Sequence, residues 1–298
     1  MKRRDFIQNA SLTAALLSFS TKSAWAALMR PQDYNFMTLR DSIGIFTEAG
    51  GTIGWLDADE GYLVIDAQFP HSAAHLIAEL KKLGSKPFSY LINTHHHGDH
   101  TAGNIAFKGL VGKVVAHNNS LINQKAVAKK SGKESEQLYP DTVFTESWEL
   151  KTGKEFIKAH YFGAGHTNGD AIVHFQNANI VHMGDLVFNR RYPFIDKSAG
   201  ADIASWIQVL QKAMDTFDRD TLFIFGHSLD PEKVVGGQAD LKAFQDYLSS
   251  LLEVVSSKIK AGESREEIMK IASIPGASEW QGDGIERSLD AAYQELTQ

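Results

Sequence analysis

The chain of 298 residues contains no cysteine. That excludes a disulfide framework, and it excludes thiolate ligation of any metal. Any transition-metal site must therefore be built from His, Asp and Glu. There is no lysine- or arginine-rich block and the net charge is −6, which argues against nucleic acid as a partner. No apolar run is long enough to span a bilayer comfortably; the strongest, Leu12 to Phe19, falls well short of about 20 residues. Low-complexity linkers and short repeats are absent too, so nothing in the composition marks an internal domain boundary. At 43% hydrophobic residues the chain still has enough apolar content for a substantial core.

Residues 1–26 read as a removable leader rather than as part of the fold. Lys2-Arg3-Arg4-Asp5-Phe6 resembles a twin-arginine export signal, followed by the apolar stretch and a small-residue cleavage pattern, Ala24-Trp25-Ala26. Lys22 beside the cleavage site is more typical of twin-arginine than of ordinary secretory signals. This segment holds four cations against Asp5, a net of +3, which leaves −9 on the remainder. The expectation is a periplasmic protein whose single domain, 27–298, has no stable membrane association after the leader is removed. Oligomeric state is not legible.

Downstream, short strand-like runs (36–39, 43–47, 52–56, 62–66) precede a helical pattern over 72–83 and a strand over 88–93. The turn-rich Asp57-Ala58-Asp59-Glu60-Gly61 resembles a fragment of a calcium loop. It lacks the downstream ligands of one and reads as a hairpin. A strand over 113–116, a helix over 119–129 and a polar stretch over 130–140, a loop or a frayed helix end, follow. A second β-rich half comes next, with strands over 148–150, 155–161, 171–175 and 180–183. A helix over 203–214 follows with Asp202 as N-cap, then a strand over 222–225. Leu241, Phe244, Leu248, Leu251, Val255 and Ile259 fall on one helical face, read as core packing. Two similar β/α halves predict an α/β fold, a four-layer αβ/βα sandwich of two sheets between helices.

One segment carries the chemistry. His95-His96-His97-Gly98-Asp99-His100 holds four of the chain's 12 histidines in six positions, directly after an apolar strand. Imidazole and carboxylate suit zinc and similar divalent ions. In extended backbone His95, His97 and Asp99 share one side while His96 points away. Gly98 permits a tight turn, after which His100 swings back toward the same cavity. These ligands cannot all reach one ion, so the run predicts part of a two-metal site completed from other loops. Candidates stand beside glycines at strand ends: His166, Asp185 and His227.

The ordered set His95-x-His97-x-Asp99-His100, His166, Asp185 and His227, with Asp66 closing Leu63-Val64-Ile65-Asp66, resembles the metallo-β-lactamase-fold hydrolase superfamily. The likeness runs from about Phe36 to His227. It implies that His95, His97 and His166 hold one metal, that Asp99, His100 and His227 hold a second, and that Asp185 bridges them. Asp66 would fix the tautomer of a ligand histidine. The histidine at position 97 disfavours the superfamily's di-iron oxidoreductases, which usually carry glutamate there; mononuclear-iron sulfur dioxygenases share the histidine. The tail beyond His227, with two helices, resembles the glyoxalase-II-like and cyclase-like branch.

Two divalent ions about 3.5–4 Å apart can share a water and lower its pKa from ~15.7 toward ~7, producing a nucleophile at neutral pH. Asp99 is the expected catalytic residue, both ligating and orienting that nucleophile. The expected protein is an exported dinuclear zinc hydrolase of a small ester, lactone, thioester or amide. The alternatives are a β-lactamase, a phosphodiesterase, or a non-catalytic periplasmic metal or sulfur-redox accessory protein. Asp185 stands where well-known β-lactamases carry cysteine or serine, which favours other substrates. Within Phe188 to Phe194 an arginine, with Arg190 the candidate, could hold a substrate anion, and Tyr192 or Phe194 could form an apolar wall; the alternative is that both arginines there pair on the surface. Trp55, on the hairpin between Ala49 and Tyr62, is a further candidate contact. His96, His117, His160, His174 and His182 read as structural histidines.

Overall fold

The computed structural model describes residues 34–297, so the expected leader lies outside the described residues. Phe36–Gln298 gathers into one compact unit by its contacts. Its strands form two mixed sheets. The first runs in spatial order β1 (Asn35–Arg40), β2 (Ile43–Thr47), β3 (Ile53–Ala58), β4 (Gly61–Ile65), β5 (Phe88–Asn93), β6 (Val111–His117) and β7 (Thr142–Phe144). From β4 to β7 its neighbours are parallel. The chain then enters β8 (Ser147–Thr152), β9 (Glu155–His160), β10 (Ile172–Phe175), β11 (Ile180–His182), β12 (Phe188–Asn189), β13 (Leu222–Ile224), β14 (His227–Ser228) and β15 (Val235–Gly236). Six of these make the second sheet, in order β15-β13-β11-β10-β9-β8, while β12 and β14 pair separately.

Period-two alternation decides which side chains meet in each layer. Ile65, Ile92 and Val115 of the first sheet pack against Ile157, Val173, Ile180 and Ile224 of the second. The intervening residues of the second sheet, Ile172, Val181 and Phe223, join a different cluster on its outer face. There they meet Trp206 and Leu210 of a helix over Ile203–Thr216, Leu241, Phe244 and Leu248 of one over Gln238–Lys260, and Leu289 of one over Ile285–Thr297. Helices over Pro70–Leu83 and Asn118–Ser131 follow β4 and β6 of the first sheet. The result is the four-layer α/β sandwich. The stripe from Leu241 to Val255 is buried core, as its spacing implied.

Local signals hold in detail. Asp202 accepts a 2.7 Å hydrogen bond from the Ser205 backbone N–H and caps its helix. The polar stretch 130–140 contains a single 3₁₀ turn, Glu134–Glu136. Asp57 pairs with Lys86 at 2.7 Å at the far end of the hairpin, leaving no ligand cluster there. Among the described residues no helix is long and apolar enough to cross a membrane.

Candidate metal centre

The loops that carry the expected ligands all leave the carboxyl ends of strands, where open α/β sheets place their ligands. Asp66 follows β4 and the histidine run follows β5. In the second sheet His166, Asp185 and His227 follow β9, β11 and β13. The strand-like alternation persists only to His97. Gly98–Thr101 then forms one helical turn with His97 as its N-cap, so a turn rather than a strand presents Asp99 and His100.

Two ligand-like groups face each other, one of His95, His97, His166 and Asp185, the other of Asp99, His100 and His227, and His96, His97 and Asp196 make a further close set on the outer side of His97. In the first, His97 Nδ1 lies 3.1 Å from His95 Nε2 and 2.8 Å from His166 Nε2. Asp185 Oδ2 is 3.4 Å from His166 Nε2 and 3.8 Å from His95 Nε2. In the second, His227 Nε2 is 3.1 Å from Asp99 Oδ2 and 3.4 Å from His100 Nε2. Asp185 reaches this group as well, with Oδ1 at 3.0 Å from His100 Nε2 and Oδ2 at 3.4 Å from His227 Nε2. Its carboxylate thus stands between the groups.

The outer nitrogen of each histidine in the first group has a partner that fixes its tautomer. His166 Nδ1–H donates to the Phe194 carbonyl at 2.6 Å. His97 Nε2–H donates to Asp196 at 2.9 Å. Asp66, fully buried and with backbone in the left-handed region (φ 64°), accepts from the Thr94 backbone N–H and hydroxyl at 2.8 and 2.6 Å. With its proton committed to Asp66, Thr94 Oγ1 accepts from His95 Nδ1–H at 3.1 Å. Asp66 also accepts from His100 Nδ1–H at 2.8 Å. The three imidazoles of the first group are thereby held with bare lone pairs facing inward, while Asp66 fixes the outer nitrogen of His100.

This tests whether a metal fits. Lone pairs of His95, His97 and His166 at 2.8 to 3.1 Å have no hydrogen left to share. Asp185 Oδ1 is buried and makes no hydrogen bond, although His100 Nε2 is 3.0 Å away. Such a convergence of acceptors is favourable only around cations. Backbone cradles the same groups. A Cβ on Gly226 would come within 2.0 Å of Asp185 Oδ1, and one on Gly51 within 2.0 Å of the His100 ring.

Electrostatics separate the groups. Burial, reinforced by the neighbouring histidines, holds His95 well below the ordinary histidine range and His166 down to about 3. Burial acts the same way on His100 and His227, but Asp185 and Asp99 outweigh it. They hold His100 well above the usual range and push His227 up to about 9. The other histidines lie elsewhere. His182 donates from Nε2 to the Thr52 carbonyl and accepts the Gly184 N–H on Nδ1, bracing the Asp185 loop. His117 caps a helix and stacks on Tyr161. His160 and His174 sit against Phe217. His96 is buried, outside both ligand groups and 3.7 Å from Asp196.

A cavity of about 320 Å³ opens over His97, Asp99, Asp185 and His227, with Phe188, Tyr192 and Phe194 as apolar wall. Its other lining includes Arg191, Asp283 and Arg287. Two expected substrate contacts are not there. Trp55 is 2% exposed, donates from its indole N–H to the Ile45 carbonyl and stacks on Phe36, so the first sheet keeps it. Arg190, at φ 59°, turns away to Glu279 at 3.1 Å and over the Trp280 ring at 4.9 Å. The kink sends its neighbour Arg191 to the cavity instead. Sequence reading did not single out Asp196 as the partner of His97, because a loop carboxylate has no periodic signature. Arg287 lies 60 residues beyond the last expected ligand, with nothing local to connect it.

The sequence model of the Metallo-beta-lactamase superfamily matches residues 47–227. Among curated proteins, metallo-beta-lactamase IND-1 of Chryseobacterium indologenes is 25% identical over 227 residues, 72% of this chain and 89% of that protein. Metallo-beta-lactamase type 2 of Bacillus sp. (strain 170) is 26% identical over 173 residues, 58% of this chain and 64% of that protein. A metallo-beta-lactamase structure from Pontibacter korlensis superposes with a TM-score of 0.62 at 19% identity, covering 72% of this chain and 99% of that one. A double mutant of the sec-alkyl sulfatase PisA1 superposes with a TM-score of 0.74 at 13% identity. That match covers 89% of this chain and 50% of the other.

Proposed function

This chain belongs to the metallo-beta-lactamase superfamily, and from that premise we propose that it is an exported dinuclear zinc hydrolase of a small ester, lactone, thioester or amide. The observation that carries the reading is the inward convergence of two ligand groups on either side of Asp185. His95, His97 and His166 would hold one divalent ion, and Asp99, His100 and His227 the other. Two such ions supply Lewis acidity and an activated water, so no serine or cysteine nucleophile is required. All-nitrogen-and-oxygen ligation by three histidines on one side and two on the other suits zinc.

The chain's own groups set up the rest. Both ligand carboxylates line the cavity, but the Asp99 side chain is about a third exposed there against 4% for Asp185. Asp99 Oδ2 faces His227 and His100 and would go to the metal, which leaves the other carboxylate oxygen to orient a nucleophile toward a bound substrate. Phe188, Tyr192 and Phe194 exclude water from one side of the cavity. A volume of about 320 Å³ matches a small molecule rather than a polymer.

Metal content by elemental analysis, paired with a panel of esters, lactones, thioesters and amides, tests the proposal. Two zinc equivalents with turnover in one of these classes is the expected result. A replete protein inert across the panel would overturn it. The named relatives favour β-lactams as a second reading, and nitrocefin turnover above ~10⁴ M⁻¹s⁻¹ would establish that one instead. Export rests on Arg3-Arg4 and the Ala24-Trp25-Ala26 pattern. Replacing both arginines by lysine should retain the protein in the cytoplasm, as cell fractionation would show.

A further inference from the structure

Two arginines line the cavity without a carboxylate partner. Arg191 follows β12 and Arg287 lies in the first turn of the helix Ile285–Thr297. Both are exposed. Neither has an acidic group within ion-pair distance among the described residues, whereas Arg190 and Arg265 are both paired. The Arg287 guanidinium is not simply adrift in solvent. It rests 5.7 Å over the ring of Phe194, whose own ring lies 5.3 Å from that of His97.

The placement of Arg287 is locally unfavourable. The first turn of a helix carries partial positive charge, and a cation there is disfavoured. Arg191 brings a second cation to the same cavity. Asp99, Asp185 and Asp283 line the cavity too, but the first two belong to the metal centre and none of the three is within ion-pair distance of either arginine. Guanidinium groups present a planar fork of donors that fits an oxyanion better than an isolated ammonium does.

We propose that Arg191 and Arg287 form an anion subsite, and that the substrate of this hydrolase carries one oxyanionic group, a carboxylate or a sulfonate, beside the bond that is cut. The inference rests on the hydrolase reading above and narrows its substrate to anionic esters, lactones, thioesters or amides. Tyr192 and Phe194 flank the path between the subsite and the metal ligands. Arg287 lies outside the stretch 47–227 shared with the superfamily. The subsite therefore combines Arg191 of the shared stretch with Arg287 of this chain's C-terminal segment.

The test compares three 4-nitrophenyl esters on the metal-replete protein: the neutral butyrate, the hydrogen succinate and the 3-sulfopropanoate. Wild type should favour one charged ester over the butyrate by ~10-fold or more in kcat/KM, the scale of one charge-assisted hydrogen bond. The preferred charged ester identifies the anion. Arg191→Met and Arg287→Met should each reduce the charged-to-neutral ratio by ~10-fold, mainly through KM, and Arg287→Lys should retain part of it. No preference in wild type, or a ratio unmoved in both methionine variants, overturns the subsite. If no ester turns over, it is the hydrolase reading that fails, and binding then decides the subsite. Calorimetry with the uncleaved amide N-(4-nitrophenyl)succinamate should give a Kd ~10-fold tighter for wild type than for either methionine variant at equal metal content. Equal Kd values would reject the subsite whatever the chemistry.

Discussion

Asp99 and Asp185 are both acceptors in the metal centre, but their exposure gives them different work. Asp185 is enclosed between the two ligand groups and 4% exposed, whereas the Asp99 carboxylate is about a third exposed in the cavity they both line. Asp99→Ala should therefore lower kcat by ~10²–10⁴-fold, the usual range for a positioned proton acceptor. The ligands His95, His97 and His166 are untouched, so elemental analysis after dialysis should find about one metal equivalent where wild type retains two. A near-normal rate would show that Asp99 does not orient the nucleophile. Asp196 acts one shell further out. Its carboxylate holds His97 Nε2–H and is itself fixed by the Ser198 hydroxyl and the Ala199 N–H. Asp196→Asn weakens the acceptor and frees the imidazole to reorient. Competition with a chromogenic chelator should show the tighter metal bound ~10–100-fold more weakly. An unchanged affinity would mean that the loop alone fixes His97.

Strands and helices long enough to show a period were legible in the sequence. Short strand-like runs located β2 to β6 and β9 to β11, and the apolar stripe from Leu241 to Val255 located its helix. Ligand histidines were legible because they cluster after an apolar strand. Two-residue elements were not. Phe188 pairs with His227 across β12 and β14, and this places the His227 ring 5.3 Å from that of Phe188, yet such short strands have no pattern to read. The choice between Arg190 and Arg191 hangs on a single positive φ, and Trp55 on which side of β3 the sheet covers. The glycines beside the ligands are visible in the sequence, but not what crowds them: at the turn joining β13 to β14 it is the Asp185 carboxylate and the Gly184 carbonyl. Gly226→Ala would press a methyl against Asp185 Oδ1 and the Gly184 carbonyl. Overpacking of this kind costs about 1–3 kcal/mol, a fall of about 2–4 °C in Tm per kcal/mol for a chain of this size class. Thermal unfolding of metal-loaded protein should show that fall together with loss of the metal nearer His227. An unshifted melt at full occupancy would mean the turn relaxes freely.

Across the whole molecule, the two halves of the centre should respond differently to pH. One half faces the interior with His95 and His166 held neutral by burial, His166 down to about 3. A metal binding there has little proton to displace near neutrality. In the other half burial is outweighed by Asp185 and Asp99, and without metal His100 and His227 retain protons, His227 up to about 9. The sign follows from which state holds the proton. A histidine raised from about 6.5 to about 9 on folding stabilises the metal-free protein fully below pH 6.5, and that contribution fades as pH rises through 9. A metal in the same half must first expel those protons, so it binds more tightly as they become easier to remove. Its affinity should rise by up to ~10-fold per pH unit for each proton expelled between pH 6.5 and 9, while the first metal changes little. The increment in Tm on adding zinc to chelator-treated protein should therefore grow steadily from pH 6.5 to pH 9. A constant increment across that window would mean that metal and proton do not compete for His100 and His227, and that Asp99, His100 and His227 do not form the second site.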